Sequence, residues 1–233
     1  MISDGRNKFL MAGLNGDIIN CWKKCYEQFK DQPQQLVSDL KISGIGSGMS
    51  VDDACQSIYD YMVKNTYYLV DRDGEQLIKS PARLLADGCG DCKSYTMFIA
   101  SCLHCLGIPC IVRFVNFDGG NQYTHVYPVA IDENGNEYWY ARELQIVLNY
   151  KEWRNFFKVL NTAIISCLNS QCSINDHFVE FNKMVKIGSK TKRKIKDYKL
   201  SRYACYLIVQ NADSAKPAVA IGQTYFAIQT CSI

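Results

Sequence analysis

The chain is organised by one helical stripe. From Cys92 onward, Tyr95, Phe98, Ile99, Cys102, Leu103 and Leu106 recur at the i, i+3, i+4, i+7, i+8 and i+11 spacing of a single helical face. A stripe this complete predicts a central buried helix, because so much apolar surface must be covered on every turn. Gly107 and Pro109 stop it, and Gly88 and Gly90 turn the chain tightly just before it. The helix therefore starts at a thiol, Cys92, held between a glycine-rich turn and a core.

Other elements are arranged around this helix. Asp17 to Lys30 places Ile18, Trp22, Cys25, Tyr26 and Phe29 at helical spacing. Ser43 to Gly48 is rich in glycine and serine, and reads as a connection because no Lys-Ser/Thr follows it as a phosphate loop requires. Ser50-Val51-Asp52-Asp53 resembles a capping box, leading into Ala54, Ile58, Tyr59, Met62 and Val63 on one face. Ser80-Pro81 is an N-cap with proline at the first helical position. Cys110 to Val115, His125 to Ile131 and Glu137 to Tyr140 read as strands, the last two joined through the hairpin signal Asn134-Gly135. Three antiparallel strands against the central helix are the expected core. Trp153 to Leu168 is a further helix carrying Phe156, Phe157, Leu160, Ile164, Ile165 and Leu168, and Tyr203 to Val209 and Ala218 to Ile228 read as strands. The expected organisation is an N-terminal helical extension (1–50), a core (51–150) and a C-terminal extension (151–233).

Composition narrows the class. The chain has 233 residues, 48% hydrophobic and 21% charged, which suits a folded protein rather than a disordered one. No run of 18 apolar residues is present, so no membrane insertion is expected. Twelve cysteines with no signal-peptide run at the N-terminus point to free thiols in a reducing compartment, and the protein is read as not secreted. The net charge of +3 conceals one basic stretch, Lys183 to Arg202. That stretch reads as a solvated face, or as the contact for an acidic or nucleic-acid partner.

A thiol at a helix N-terminus gains thiolate character from the dipole and the free N–H groups, and a histidine opening a later strand can serve as its base. Cys92 and His125 are the candidate nucleophile and base. The same Cys89-Gly90-Asp91-Cys92 is also a C-x-x-C, open to reading as a redox pair, as half of a zinc site completed from Cys102, His104, Cys105 or Cys110, or as structural thiols. The nucleophile reading implies neither cofactor nor metal. Cys25, Cys55, Cys102 and Cys105 fall on or beside apolar faces as packing residues, and His104 and His177 read as structural.

Ser80-Pro81-Ala82-Arg83-Leu84-Leu85, Gly90-Asp91-Cys92-Lys93-Ser94-Tyr95, Leu106-Gly107-Ile108-Pro109 and Thr124-His125-Val126-Tyr127, in that order, resemble the transglutaminase-like (papain-like) cysteine-peptidase superfamily. The likeness is greatest to versions encoded by bacteriophages (crAss-like or other Bacteroidetes phages) and their Bacteroidetes-type hosts, and it covers about 51–150. It implies an α+β, papain-like fold with an antiparallel sheet on the helix that starts at Cys92. It also implies Cys92 as nucleophile, His125 as general base and acid, and an aspartate at the end of the next strand. That position falls near Ala141 or Arg142, neither a carboxylate; Glu143 is the nearest substitute, and Asp132 lies on the histidine's own strand.

Two functions follow. The incomplete triad, the phage-type likeness and the basic segment point to a virion structural component of the neck or tail, contacting other virion proteins and forming a homo-oligomeric ring, located in the virion or the host cytoplasm. The alternative is an active thiol-dependent peptidase, amidase or transglutaminase acting through a thioester on Cys92.

Overall fold

A computed structural model describes residues 8–10, 15–42, 49–72, 76–116, 123–132, 135–187 and 191–230. It divides into two compact units, 1–135 and 136–233, each with its own core. The expected 43–48 connection and the turn at 118–121 lie outside the described residues.

The first unit runs β1 (Lys8–Leu10), α1 (Asn15–Phe29), α2 (Gln34–Asp39), α3 (Val51–Asn65), β2 (Tyr67–Tyr68), β3 (Leu77–Lys79), α4 (Pro81–Asp87), β4 (Cys89–Gly90), α5 (Cys92–Cys105), β5 (Cys110–Val115) and β6 (His125–Ala130). The expected caps are present. Ser50 Oγ accepts the Asp53 N–H at 3.1 Å and Ser80 Oγ accepts the Arg83 N–H at 3.3 Å. Gly88 closes α4 in the left-handed region at φ +65°.

α5 is buried on nearly every side. Phe98, Cys102 and Leu103 pack with Ala54, Ile58 and Met62 of α3, while Met97 and Ala100 pack with Trp22, Cys25 and Phe29 of α1. Two hydrogen bonds lock the helix into place: Trp22 Nε1 donates to the Lys93 carbonyl at 3.1 Å, and Thr96 Oγ1 donates to the Val126 carbonyl at 3.1 Å. The α3 stripe is narrower than expected, because Tyr59 and Val63 face solvent while Ala54, Ile58 and Met62 carry the contact.

β5 and β6 pair antiparallel from Cys110↔Ala130 to Val115↔His125. The expected third strand does not join them. The segment before Tyr140 shortens to β7 (Trp139–Tyr140), which belongs to the second unit and pairs with Leu200 and Lys199, so Gly135, at φ +79°, turns the chain without making a β6–β7 hairpin.

After β7, the second unit runs α6 (Ala141–Val147), α7 (Trp153–Asn169), α8 (Ile174–His177), β8 (Phe178–Ile187), β9 (Thr191–Leu200), α9 (Arg202–Gln210) and α10 (Pro217–Thr230). Phe156 and Leu160 of α7 meet Leu200, Ala204 and Ile208 in its core, whereas Ile165 and Leu168 are exposed. The basic segment forms the β8–β9 hairpin, registered from Phe178↔Leu200 to Ile187↔Thr191. Two expected strands are helices instead. Ser201 Oγ caps α9 by accepting the Ala204 N–H at 3.1 Å, and Pro217 opens α10. Their β-branched and aromatic content suggests strands, but burial on several faces of a helix accommodates the same residues.

Candidate active site

Cys92 is the first residue of α5. Asp91 caps the helix, its carboxylate accepting the N–H of Lys93 at 3.0 Å and of Ser94 at 3.3 Å. Gly90 is required by space: a Cβ there would lie 2.7 Å from Leu84 Cδ1 and 2.9 Å from Ser94 Cβ. This close approach of α4 to α5 presents the thiol at the helix tip. β6 brings His125 to the same place, and Cys92, His125 and Val126 line one cavity of about 720 Å³.

The electrostatics differ from the expectation of a thiol lowered by the helix dipole. Burial pushes the Cys92 thiol above its ordinary value, and the neighbouring Asp91 carboxylate adds to the rise. The Val126 N–H, the Lys93 ammonium and the Tyr68 hydroxyl act in the opposite direction. Cys92 is thus a protonated thiol at neutral pH, and a base is needed to make it nucleophilic.

The cavity wall holds a buried charge network. Lys93 is 7% exposed, and its ammonium lies between the Asp91 carboxylate and Asp71 Oδ2, the latter at 3.1 Å. Asp71 Oδ2 also accepts the Leu77 N–H at 2.6 Å. Burial opposes the charge on Lys93, but the two carboxylates outweigh it and hold the ammonium above its ordinary value. Burial pushes Asp91 up, with Lys93 pulling it back.

Cys89 and Cys92 are both free thiols, and they face different surroundings. β2 pairs parallel with β4, Tyr67↔Cys89 and Tyr68↔Gly90. Successive strand residues point to opposite faces. The Tyr67 hydroxyl meets Cys89 and the Tyr68 hydroxyl meets Cys92, so the two thiols lie on opposite faces of this ribbon. For zinc, no group of three or more His, Cys, Asp or Glu side chains converges among the described residues. His104 instead lies 3.2 Å from Asp31, and Cys105 Sγ contacts the Lys30 carbonyl at 3.4 Å.

The third position remains without a carboxylate at Ala141 or Arg142. Ala141 is buried in the second unit's core, and the Arg142 N–H is capped by Asp197 at 3.1 Å. Glu143 lies 3.5 Å from Lys183 of the same unit. The His177 ring meets Ser201 at 2.8 Å, the structural role expected for it.

Tyr68, Asp71, Gln76 and Lys93 line the cavity beside Cys92 and were not anticipated from the sequence. The available signal was the lysine directly after the candidate nucleophile, a charge where the helix is otherwise apolar, together with an aspartate in the extended segment after α3.

Residues 41–153 match the model of the transglutaminase-like superfamily. The core around α5 is transglutaminase-like. Residues 128–227, overlapping the end of that match over 128–153, match the model of the BRO family N-terminal domain. A curated relative, DNA damage-inducible protein D of Escherichia coli (strain K12), is 59% identical over 100 residues, which are 43% of this chain and 36% of that protein's length. A solved structure of a candidate cysteine protease from Cytophaga hutchinsonii also matches part of the chain. That match has 19% identity, covers 54% of this chain and 41% of the other, and its TM-score of 0.34 is too low to carry an argument. In the second unit, the BRO match includes all of the basic hairpin.

Proposed function

We propose that the transglutaminase-like core is a thiol acyl-transfer centre. His125 takes the proton from Cys92, Sγ bonds to an amide carbonyl, and the C–N bond breaks as the proton passes to the leaving amine. Water or a second amine then releases the acyl group from sulfur. The observation that carries this reading is that Cys92 and His125 line one cavity at the tip of a locked helix. The raised Cys92 thiol supports the need for a base. Alkylation of each cysteine against pH, mapped by mass spectrometry, tests it. Cys92 is expected to lose rate in His125→Ala while Cys89 does not; equal rates in both proteins would remove His125 from the role.

For the second unit we infer a polyanion contact through β8–β9. The name of the relative connects that protein with DNA damage, and the hairpin's lysines and arginine suit phosphate. A second reading, a virion neck or tail component with an incomplete triad, is favoured by the missing carboxylate at Ala141 and Arg142. It predicts a homo-oligomeric ring or a particle-bound assembly. A strictly monomeric chain absent from purified particles would sink that reading, and a closed ring without Cys92 turnover would sink the first.

A further inference from the structure

On the face of the β2–β4 ribbon away from Cys92, an amine and a thiol are held together. Lys79 ends β3 and is 7% exposed. Its Nζ lies 2.9 Å from Asp87 Oδ2, donates to the Cys89 carbonyl at 2.7 Å and stands 3.8 Å from Cys89 Sγ. A buried ammonium needs a counter-ion, and Asp87 supplies it. That pairing does not account for the sulfur. The hydrogen bond to the carbonyl of Cys89 fixes the amine beside the side chain of the same residue, and the Tyr67 hydroxyl meets the thiol as well. Cys89 is a half-buried free thiol, open enough for a small oxidant.

We propose that Lys79 and Cys89 are a covalent modification site, joined reversibly through a sulfur–nitrogen bond when the chain meets a peroxide. The Cys89 thiolate attacks one peroxide oxygen, the O–O bond breaks, and sulfur is oxidised by two electrons to a sulfenic acid while hydrogen peroxide is reduced to water. Lys79 gives its extra proton to Asp87, and from there to solvent. The free amine then attacks the sulfenic sulfur: the S–N bond forms, the S–O bond breaks, and the oxygen leaves as water with a proton from the nitrogen. Sulfenic acids condense with nitrogen in this way where one is held close, and the flexible lysine stem covers the remaining approach. A small thiol reverses the link by attacking the sulfur, which frees the amine and leaves a mixed disulfide that a second thiol reduces. The cross-link ties β3 to β4 around α4, just before the helix that carries Cys92.

The test uses the full chain with Cys92→Ala, which leaves Cys89 the one thiol of its tryptic peptide, treated with hydrogen peroxide and mapped by mass spectrometry without reduction. Cutting after Lys79 is expected to disappear. The peptide ending at Arg83 should be joined to the one carrying Cys89, the pair lighter than its sum by two hydrogens, about 2 Da, and dithiothreitol should separate it. Peroxide applied in urea should leave the two peptides apart, because the unfolded chain does not hold the amine at the sulfur. Lys79→Arg keeps a cation beside Asp87 and should divert Cys89 to a sulfenic acid that dimedone labels several-fold more strongly. Oxidation of Cys89 with Lys79 still cut overturns the proposal, as does a thiol that peroxide leaves unchanged. A loss of two hydrogens confined to the Cys89 peptide, which is closure on a backbone nitrogen, also overturns it. So do a joined pair that retains one oxygen and joining that is equally efficient in urea.

Discussion

The ammonium of Lys93 lies 3.1 Å from Asp71, fastening the segment that follows β2 to the second residue of α5. Because Asp91 shares the same ammonium, one lysine serves two carboxylates in a nearly closed space. Replacing it with an uncharged side chain leaves both acids buried without a counter-ion. Lys93→Met is expected to cost about 3 to 5 kcal/mol at neutral pH in a urea titration. The sign with pH follows from the carboxylates. With the lysine gone the Asp91 carboxyl, already pushed up by burial, rises further, so the penalty is full only above that raised value and shrinks as pH falls toward the unfolded carboxylate range near about 4. A loss that is independent of pH would argue against the network.

Gly88 and Gly90 separate two kinds of glycine requirement. At Gly88 a Cβ meets nothing within 4 Å, but φ is +65°, so Gly88→Ala should cost about 1 to 2 kcal/mol through the backbone alone. At Gly90 a Cβ collides with Leu84, itself fully buried, and Gly90→Ala should cost about 1 to 3 kcal/mol and also displace the tip of α5. Thermal melts with Cys92 alkylation rates distinguish them: only Gly90→Ala should alter the alkylation rate.

Burial sets a limit on alkaline stability. The thiols of Cys25 and Cys205 are pushed up to about 12, and those of Cys55, Cys105 and Cys110 to about 11, burial being the largest cause in each. A thiol whose folded value is raised leaves stability untouched below its unfolded value. The unfolded chain then gains by ionising as pH rises between the two values. Denaturation midpoints under reducing conditions should therefore hold to about pH 8.5 and fall steadily toward pH 11. A flat profile would mean these thiols are solvated.

The β8–β9 hairpin offers exposed cations at Arg193 and Lys194, whereas Lys196 is already 2.6 Å from Glu180. Charge reversal of Arg193 and Lys194 should lower the slope of log affinity for duplex DNA against log salt by about 2, near 0.9 for each phosphate no longer neutralised. An unchanged slope would remove the hairpin as a phosphate-binding element.

The sequence disclosed α5 almost completely, because a helix buried along its length must announce itself at every turn, and the caps at Ser50 and Ser80 are local chemistry. The thiol and the histidine were legible for the same reason, each standing at the mouth of a well-marked element. What pairs with what across the chain was not. β7 looked like a partner for β6 by proximity in sequence, yet it joins β9, a choice made by the second unit's core. Tyr203 to Val209 carried strand-like residues, and the cap at Ser201 was the better guide. Asp71 and Lys93 meet only after the chain has crossed through β3, α4 and β4, so no local window contains their encounter.

Tyr67 and Tyr68 give each of two nearby thiols a phenol on its own side of a narrow ribbon. The ribbon acts as a partition. On one side Cys89 sits with the buried Lys79 ammonium, 3.8 Å from its sulfur, and on the other Cys92 opens to the cavity. A reagent admitted through the cavity meets Cys92, which lines it, and not Cys89, which does not. The partition thereby gives the two thiols of one short motif separate surroundings, one beside an ammonium and one beside the cavity.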